Sequence, residues 1–227
     1  MGRTRPLIAI DGPVGAGKST VARALARALG YSHLNTGAMY RAVALAASLR
    51  YTAAELDDPA INQRLGELLN SISITFDGEQ IALDGRDINA AITAPHISDL
   101  ASRLSALAIV RDRMRELQRA AGSAGGVVME GRDIGTVIFP DAEFKFYLTA
   151  DVTVRADRRW AELQAKGDPS SRDQVLLQLR ARDQRDQARA LAPLKPAHDA
   201  IIVDSSKLEV GEVVASMKTR IEIGMRG

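Results

Sequence analysis

The sequence predicts an α/β fold: a doubly wound, five-stranded parallel sheet carrying a phosphate loop, with helices on both faces, a small β-containing insert and a helical lid. Three observations carry that prediction. Five short apolar runs read as buried strands, helical patterns lie between them, and the first strand leads straight into G-x-x-x-x-G-K-S.

The strands are Leu7–Ile10, Ser32–Asn35, Val127–Met129, Phe144–Leu148 and Ile201–Val203. Short runs without polar alternation suit strands covered on both faces. Helical patterns occupy Thr20–Leu29, Ala38–Leu49, Ser98–Ala121 and Val154–Ala165. One region breaks the alternation. Ser71–Phe76 and Gln80–Asp84 are β-rich and separated by Asp77-Gly78-Glu79, a hairpin signal. They read as an inserted subdomain, although they could instead extend the core sheet. The expected organisation is core with the phosphate loop over 1–58, an insert over 59–95, core over 96–153, a lid over 154–172 and core again over 173–227. Lys166-Gly-Asp-Pro-Ser-Ser171 is the clearest flexible loop.

Composition narrows the class. The 227 residues are 46 % hydrophobic and 26 % charged, which excludes wholesale disorder. No apolar run reaches the ~18 residues that span a bilayer. The basic start, Met1–Pro6, is followed by no apolar signal segment, so a cytoplasmic protein is expected. With no cysteine, disulfides, thiol catalysis and cysteine–zinc sites are excluded. A net charge of +2 is no nucleic-acid footprint, and arginine clusters point to bound phosphate or carboxylate instead.

In the phosphate loop, Gly12, Pro13, Val14, Gly15, Ala16, Gly17, Lys18, Ser19 and Thr20 form the strand-to-helix turn that cradles a nucleoside triphosphate. Glycines let backbone N–H groups face one anion. Lys18 reaches the outer phosphates and Ser19 offers an oxygen to Mg²⁺. A guanine-reading Asn-Lys-x-Asp is absent, which argues against a GTPase.

Three further constellations follow later strands. In Asn35-Thr-Gly-Ala-Met-Tyr-Arg41, Thr36 is placed to cap a helix and Arg41 lies about one turn inside it. Arg41 reads equally as a solvated helix residue. In Met129-Glu-Gly-Arg-Asp-Ile-Gly-Thr136, Arg132 and Asp133 follow a strand end, where ligands of parallel sheets sit, although such a pair can also be a surface ion pair. In Arg180-Ala-Arg-Asp-Gln-Arg-Asp-Gln-Ala-Arg189, Arg182, Asp186 and Arg189 fall on one helical face, as a ladder of ion pairs or a pocket wall. Arg155, Arg158 and Arg159 recur on the lid helix, where they could close over a transferring phosphoryl group or stay solvated. Together these pieces offer two anion sites: one for a triphosphate, the other presenting Arg41, Arg132 and Arg189 to a second phosphate. That layout suits phosphoryl transfer by positioning and charge neutralisation. His33, His96 and His198 share no ligand spacing and read as fold residues.

These motifs, in this order and over nearly the whole chain, resemble the bacterial cytidylate kinase family. The resemblance rests on the phosphate loop, Thr36–Arg41, Gly131–Ala142, Arg182–Arg189 with Ala192-Pro-Leu194, Asp199-Ala200 and Asp204-Ser205-Ser206. It implies transfer from ATP to CMP or dCMP with Mg²⁺, and makes the insert the monophosphate-binding subdomain of the longer bacterial form. By similarity, Arg41, Arg132 and Arg189 hold the CMP phosphate, Ser102, Arg111 and Asp133 read cytosine, and Arg182 and Asp186 hold the sugar. Thr36 joins the same acceptor site, and Lys18, Arg132, Arg155, Arg158 and Arg159 act on the transferring group. The chain departs from the family at Asn35, usually Asp, and at Ala108-Ile109, usually an aromatic and a proline. A monomer acting on free nucleotides, with no nucleic-acid or membrane partner, is expected. The rivals are another phosphate-loop kinase, or a nucleotide switch or RNA module, against which the 4 % aromatic content counts.

Overall fold

The computed structural model describes residues 3–58, 60–77 and 80–225. Met1 and Gly2 of the basic start, Pro59 at the expected start of the insert, and Gly78-Glu79 of the expected turn lie outside the described residues. The chain divides into two compact units, one of residues 1–33 and 124–227, the other of residues 34–123.

The first unit is built on the five-stranded sheet. Strands β1 (Arg5–Asp11), β2 (Ser32–Asn35), β6 (Gly125–Gly131), β7 (Phe144–Thr149) and β8 (Ile201–Asp204) stand in the order β2-β6-β1-β7-β8. The pairs β1–β6, β1–β7 and β7–β8 are parallel. All five strands coincide with the expected apolar runs. β1 is central because Leu7, Ile8, Ala9 and Ile10 are fully buried, which only a strand with neighbours on both edges and cover on both faces achieves. In register, Asp11 lies beside Gly131 of β6 and Tyr147 of β7, so the ends of three strands meet.

Helix α1 (Lys18–Leu29) turns Val21, Ala22, Leu25 and Ala26 inward and packs with α9 (Val210–Gly224), whose Val213, Met217 and Ile221 join the same core as Ile8, Val128 and Phe146. Each fully buried large side chain contributes about 1.5–3 kcal/mol. Ala16 belongs to this core as well, so the phosphate loop is anchored by one buried methyl group. The expected lid segment, 154–172, takes in most of α7 (Val152–Gln164) and the loop to α8 (Arg172–Gln187), and the two helices are joined through an apolar cluster of Ala156, Leu163, Val175 and Leu179. Ser171 starts α8 with a reciprocal capping box to Gln174.

The second unit contains α2 (Thr36–Arg50), α3 (Ala53–Leu56), α4 (Ile61–Ser71), α5 (Pro95–Leu104), α6 (Ala108–Gly122) and a three-stranded antiparallel sheet. Its strands are β3 (Ile74–Asp77), β4 (Gln80–Leu83) and β5 (Arg86–Asp87). The expected hairpin is β3–β4. A second turn follows at Asp84-Gly85, both at positive φ (51° and 77°), so Asp84 is a turn residue and not the end of a strand. Among the described residues the sheet pairs with no core strand, and the expected insert falls inside this larger unit.

The single helical pattern over Ser98–Ala121 is two helices. The chain leaves α5 at Ser105, Leu107 is extended (φ −80°, ψ 129°), and α6 restarts as Arg111 N–H donates to Leu107 O at 3.0 Å. No glycine or proline marks this break. At the start of α2 the cap is Asn35, whose Oδ1 accepts from Ala38 N–H at 3.0 Å, and Thr36 is the first helical residue rather than the cap.

Candidate active site

In the first unit, the phosphate loop follows from the backbone freedom of two glycines. Gly12 sits at φ 149°, and a Cβ there would stand 2.0 Å from Leu148 O, so only glycine lets the loop leave the sheet here. Gly17 caps α1 in the left-handed region at φ 86°. Lys18 then points back along the loop, and its Nζ donates to Pro13 O at 2.7 Å. Burial is the main force pushing the Lys18 ammonium well below its ordinary value of 10.5, followed by the Arg132 guanidinium, with Glu130 opposing and Arg182 adding to the push. A buried lysine among guanidiniums is a site that an anion stabilises.

Ser19 Oγ donates to Glu130 Oε2 at 2.9 Å, and Glu130 Oε1 lies 3.1 Å from His33 Nε2. Glu130 is 3 % exposed. Sequence reasoning placed neither Glu130 nor His33 in the site. The only signal was that Glu130 immediately precedes Gly131-Arg132-Asp133 at the end of its strand. A serine hydroxyl and a buried carboxylate are hard oxygen donors, the kind Mg²⁺ accepts together with substrate phosphates. No group of three or more His, Asp or Glu side chains able to hold a metal occurs among the described residues.

Beyond β6, Arg132 Nε donates to Asp186 Oδ2 at 3.0 Å, and Arg189 Nη2 donates to Asp186 Oδ1 at 2.5 Å. α8 ends at Gln187, so Arg189 lies just past it rather than on its face. The return of the chain is fixed by Leu194 N–H, which donates to Asp186 O at 2.8 Å. Burial raises the Asp186 carboxyl, but Arg132, Arg189 and Arg182 outweigh it and hold the group below its ordinary value. Three arginines thus surround one buried carboxylate, and two of them, Arg132 and Arg182, also act on Lys18.

The three arginines expected on the lid helix separate. Arg155 is buried: its Nε donates to Ala150 O at 2.9 Å and its Nη1 to Val14 O at 3.0 Å, and it pairs with Asp183 at 2.7 Å. It braces the phosphate loop against α8. Arg158 donates to Ser205 O at 2.7 Å, and the Ser205 hydroxyl lies 3.2 Å from Ala16 O. Arg159 forms an exposed pair with Glu162 at 3.0 Å.

In the second unit, Arg41 folds back over the first turn of α2, with its guanidinium beside Gly37. The break between α5 and α6 gathers Ser102 and Arg111 around Ser105. Ser105 Oγ donates to Ser102 O at 2.8 Å, and Arg111 Nη1 donates to Ser105 O at 3.4 Å. Ser102 and Arg111 are both buried, and the Ser102 hydroxyl has no hydrogen-bond partner among the described residues. A buried hydroxyl left unpaired is costly unless a ligand completes it. Ile109, one of the two positions expected to depart from the family pattern, lies 3.7 Å from the position of a Cβ on Gly66 of α4.

The chain is similar to known proteins over nearly its whole length. The family model for cytidylate kinase matches residues 8–222. A cytidylate kinase of Pelotomaculum thermopropionicum is 46 % identical over 224 residues, covering 97 % of this chain and 98 % of the relative. One from Geobacter sulfurreducens is 45 % identical, covering 96 % and 93 %. Among solved structures, an uncharacterized protein from Eubacterium ventriosum superposes with a TM-score of 0.52 at 14 % identity, covering 96 % of this chain and 99 % of that one, a likeness of fold alone.

Proposed function

The chain belongs to the cytidylate kinase family, and from that premise we propose that it moves the γ-phosphoryl group of ATP to CMP or dCMP, yielding ADP and CDP or dCDP. The observation that carries the reading is the charge arrangement of the first unit. Lys18 of the phosphate loop sits under the influence of Arg132 and Arg182, which also neutralise Asp186 together with Arg189. Residues 12–20 take the triphosphate. Arg132 and Arg189 take the acceptor phosphate, with Arg182 and Asp186 on its sugar. In the second unit, Arg41, Thr36, Ser102 and Arg111 are the residues that the resemblance gives to the acceptor.

A nucleoside monophosphate is largely dianionic at neutral pH, so transfer needs no strong base. Positioning and charge neutralisation suffice. Lys18 and Arg132 oppose the charge on the transferring group. Arg155 holds the phosphate loop in shape through Val14 O, while Arg158 and Arg159, given to the transferring group by the resemblance, act there only on exchanging their bonds to Ser205 and Glu162. Ser19, backed by Glu130, would hold Mg²⁺, which when bound neutralises the outer phosphate oxygens. By the resemblance, Asp133 of the first unit is given the exocyclic amino group of cytosine, for which a carboxylate is an acceptor, and Arg111 of the second unit its ring nitrogen, for which a guanidinium is a donor. Uracil reverses both groups, so it is disfavoured. No helix among the described residues is long and apolar enough to cross a membrane. The proposed setting is a cytoplasmic monomer working on free nucleotides, without nucleic-acid or membrane partners.

The test is ADP release with ATP, Mg²⁺ and a panel of CMP, dCMP, UMP, AMP and GMP. Selective turnover of CMP and dCMP is expected. Preference for another monophosphate would discard the base-reading trio, and no acceptor-dependent release from folded protein would discard the kinase.

A further inference from the structure

We propose that Asp11 is a positioning residue for acceptor recognition: its carboxylate clamps the turn that directly follows Arg132 and Asp133 to the strand end that launches the phosphate loop. This rests on the CMP kinase reading above and deepens it.

Asp11 is the last residue of β1, 4 % exposed, and directly precedes Gly12. Its Oδ1 accepts from Ile134 N–H at 2.9 Å and its Oδ2 from Gly135 N–H at 2.8 Å. These amides open the single turn Ile134–Ile138, in which Val137 and Ile138 N–H return to Asp133 O at 2.9 and 3.2 Å. The first donors of a helical turn have no partner inside it. Here one carboxylate, 123 positions away for Ile134, supplies both acceptors. The turn lies flush on its support. A Cβ on Gly135 would stand 3.2 Å from Lys145 Cδ and 3.5 Å from Asp11 Oδ2, so the backbone has little room to tilt. The other side of the clamp is equally fixed, because Gly12 has no space for a side chain against Leu148 O.

Arg132 and Asp133 immediately precede the two clamped amides. The groups that meet the acceptor phosphate and base are therefore registered to the loop that holds the donor. The electrostatics agree: burial drives the Asp11 carboxyl up to about 7, the Gly135 and Ile134 amides pull it down, Asp133 raises it and Lys18 lowers it. The carboxylate thus feels both Lys18 of the phosphate loop and Asp133 of the acceptor side.

Asp11→Asn keeps the volume and one acceptor oxygen but turns an N–H donor toward the second amide. The turn should tilt, and the loss should fall on the acceptor. The expected result is a KM for CMP raised about tenfold and a CMP-over-UMP preference lowered by a similar factor, with KM for ATP within about twofold. Asp11→Glu keeps the charge but misplaces it by one methylene, and should show the same split. A merely structural carboxylate would lower the melting temperature and specific activity while leaving both KM values and the base preference unchanged, and that result overturns the inference. Failure of both variants to fold would also overturn it, by assigning Asp11 to stability alone. Wild-type protein that does not prefer CMP refutes the functional reading instead, so the two failures are distinguishable.

Discussion

Asp186→Asn removes one negative charge from among three guanidiniums while leaving the side-chain volume nearly unchanged. The wild-type carboxylate is 1 % exposed and accepts from Arg132 at 3.0 Å and from Arg189 at 2.5 Å. Each charge-assisted bond of this kind contributes ~1.5–3 kcal/mol. Asparagine keeps one oxygen acceptor but presents an amide N–H to a guanidinium N–H. Breaking one partner of a buried ion cluster costs about 3–5 kcal/mol. The Arg132 and Arg189 side chains keep 19 % and 10 % of their exposure, so water recovers part of that cost. The expected loss is about 2–3 kcal/mol, and in a chain of this length each kcal/mol lowers Tm by ~2–4 °C. The melting temperature should therefore fall by roughly 4–12 °C.

The sign with pH follows from the depressed carboxyl. Its stabilisation is present above the unfolded value of 3.8 and lost as pH falls through the still lower folded value. Wild type and variant should differ fully at about pH 7 and converge in acid. With the arginines no longer aligned, KM for CMP should rise by about tenfold while KM for ATP changes little. Thermal and urea unfolding at both pH extremes, with steady-state kinetics, make the measurement. A variant that melts within about 1 °C of wild type at about pH 7 and keeps its KM for CMP would refute the claim that this cluster is an organised anion site.

Three further outcomes are expected. Lys18→Ala should abolish transfer with an unchanged circular dichroism spectrum, and wild-type turnover in that variant would remove the lysine from the mechanism. Ser102→Ala should leave stability within about 0.5 kcal/mol, since the hydroxyl is unpaired, yet raise KM for CMP; a lower Tm with an unchanged KM would make that hydroxyl structural. Burial raises the folded Asp11 carboxyl from 3.8 to about 7, so the folded state holds the proton longer than the unfolded state. Urea unfolding over a pH series should then show the stability of wild type relative to Asp11→Asn falling by ~1.4 kcal/mol per pH unit between those values and levelling above them, and parallel curves for the two proteins would refute it.

Much of this was legible in the linear chain because its causes are local. The phosphate loop is recognisable since Gly12, Gly17, Lys18 and Ser19 act within one turn of backbone, and their spacing is the geometry. The core strands are recognisable since uniform burial demands uniform apolarity. The break between α5 and α6 was not legible. It contains Ser105, Ala106 and Leu107, none of which interrupts a helix by itself, and the corner is held by backbone bonds such as Leu107 N–H to Leu104 O together with the serine hydroxyl bond to Ser102 O. The Asp84-Gly85 turn was present as a signal but hidden, because the aspartate also ends an apolar run.

The sequence alone determined the phosphate loop, the parallel α/β class and the family, because each depends on residue identity at short, constant separation. Only the tertiary structure decided which carboxylates serve which cations. The Ser19–Glu130–His33 chain, the Arg132–Asp186–Arg189 cluster and the Asp11 clamp join residues from strands and helices far apart in the chain. Their partners are set by strand order and register: parallel pairing brings the ends of β1, β6 and β7 together, and burial there leaves each charge only the neighbours that the fold supplies.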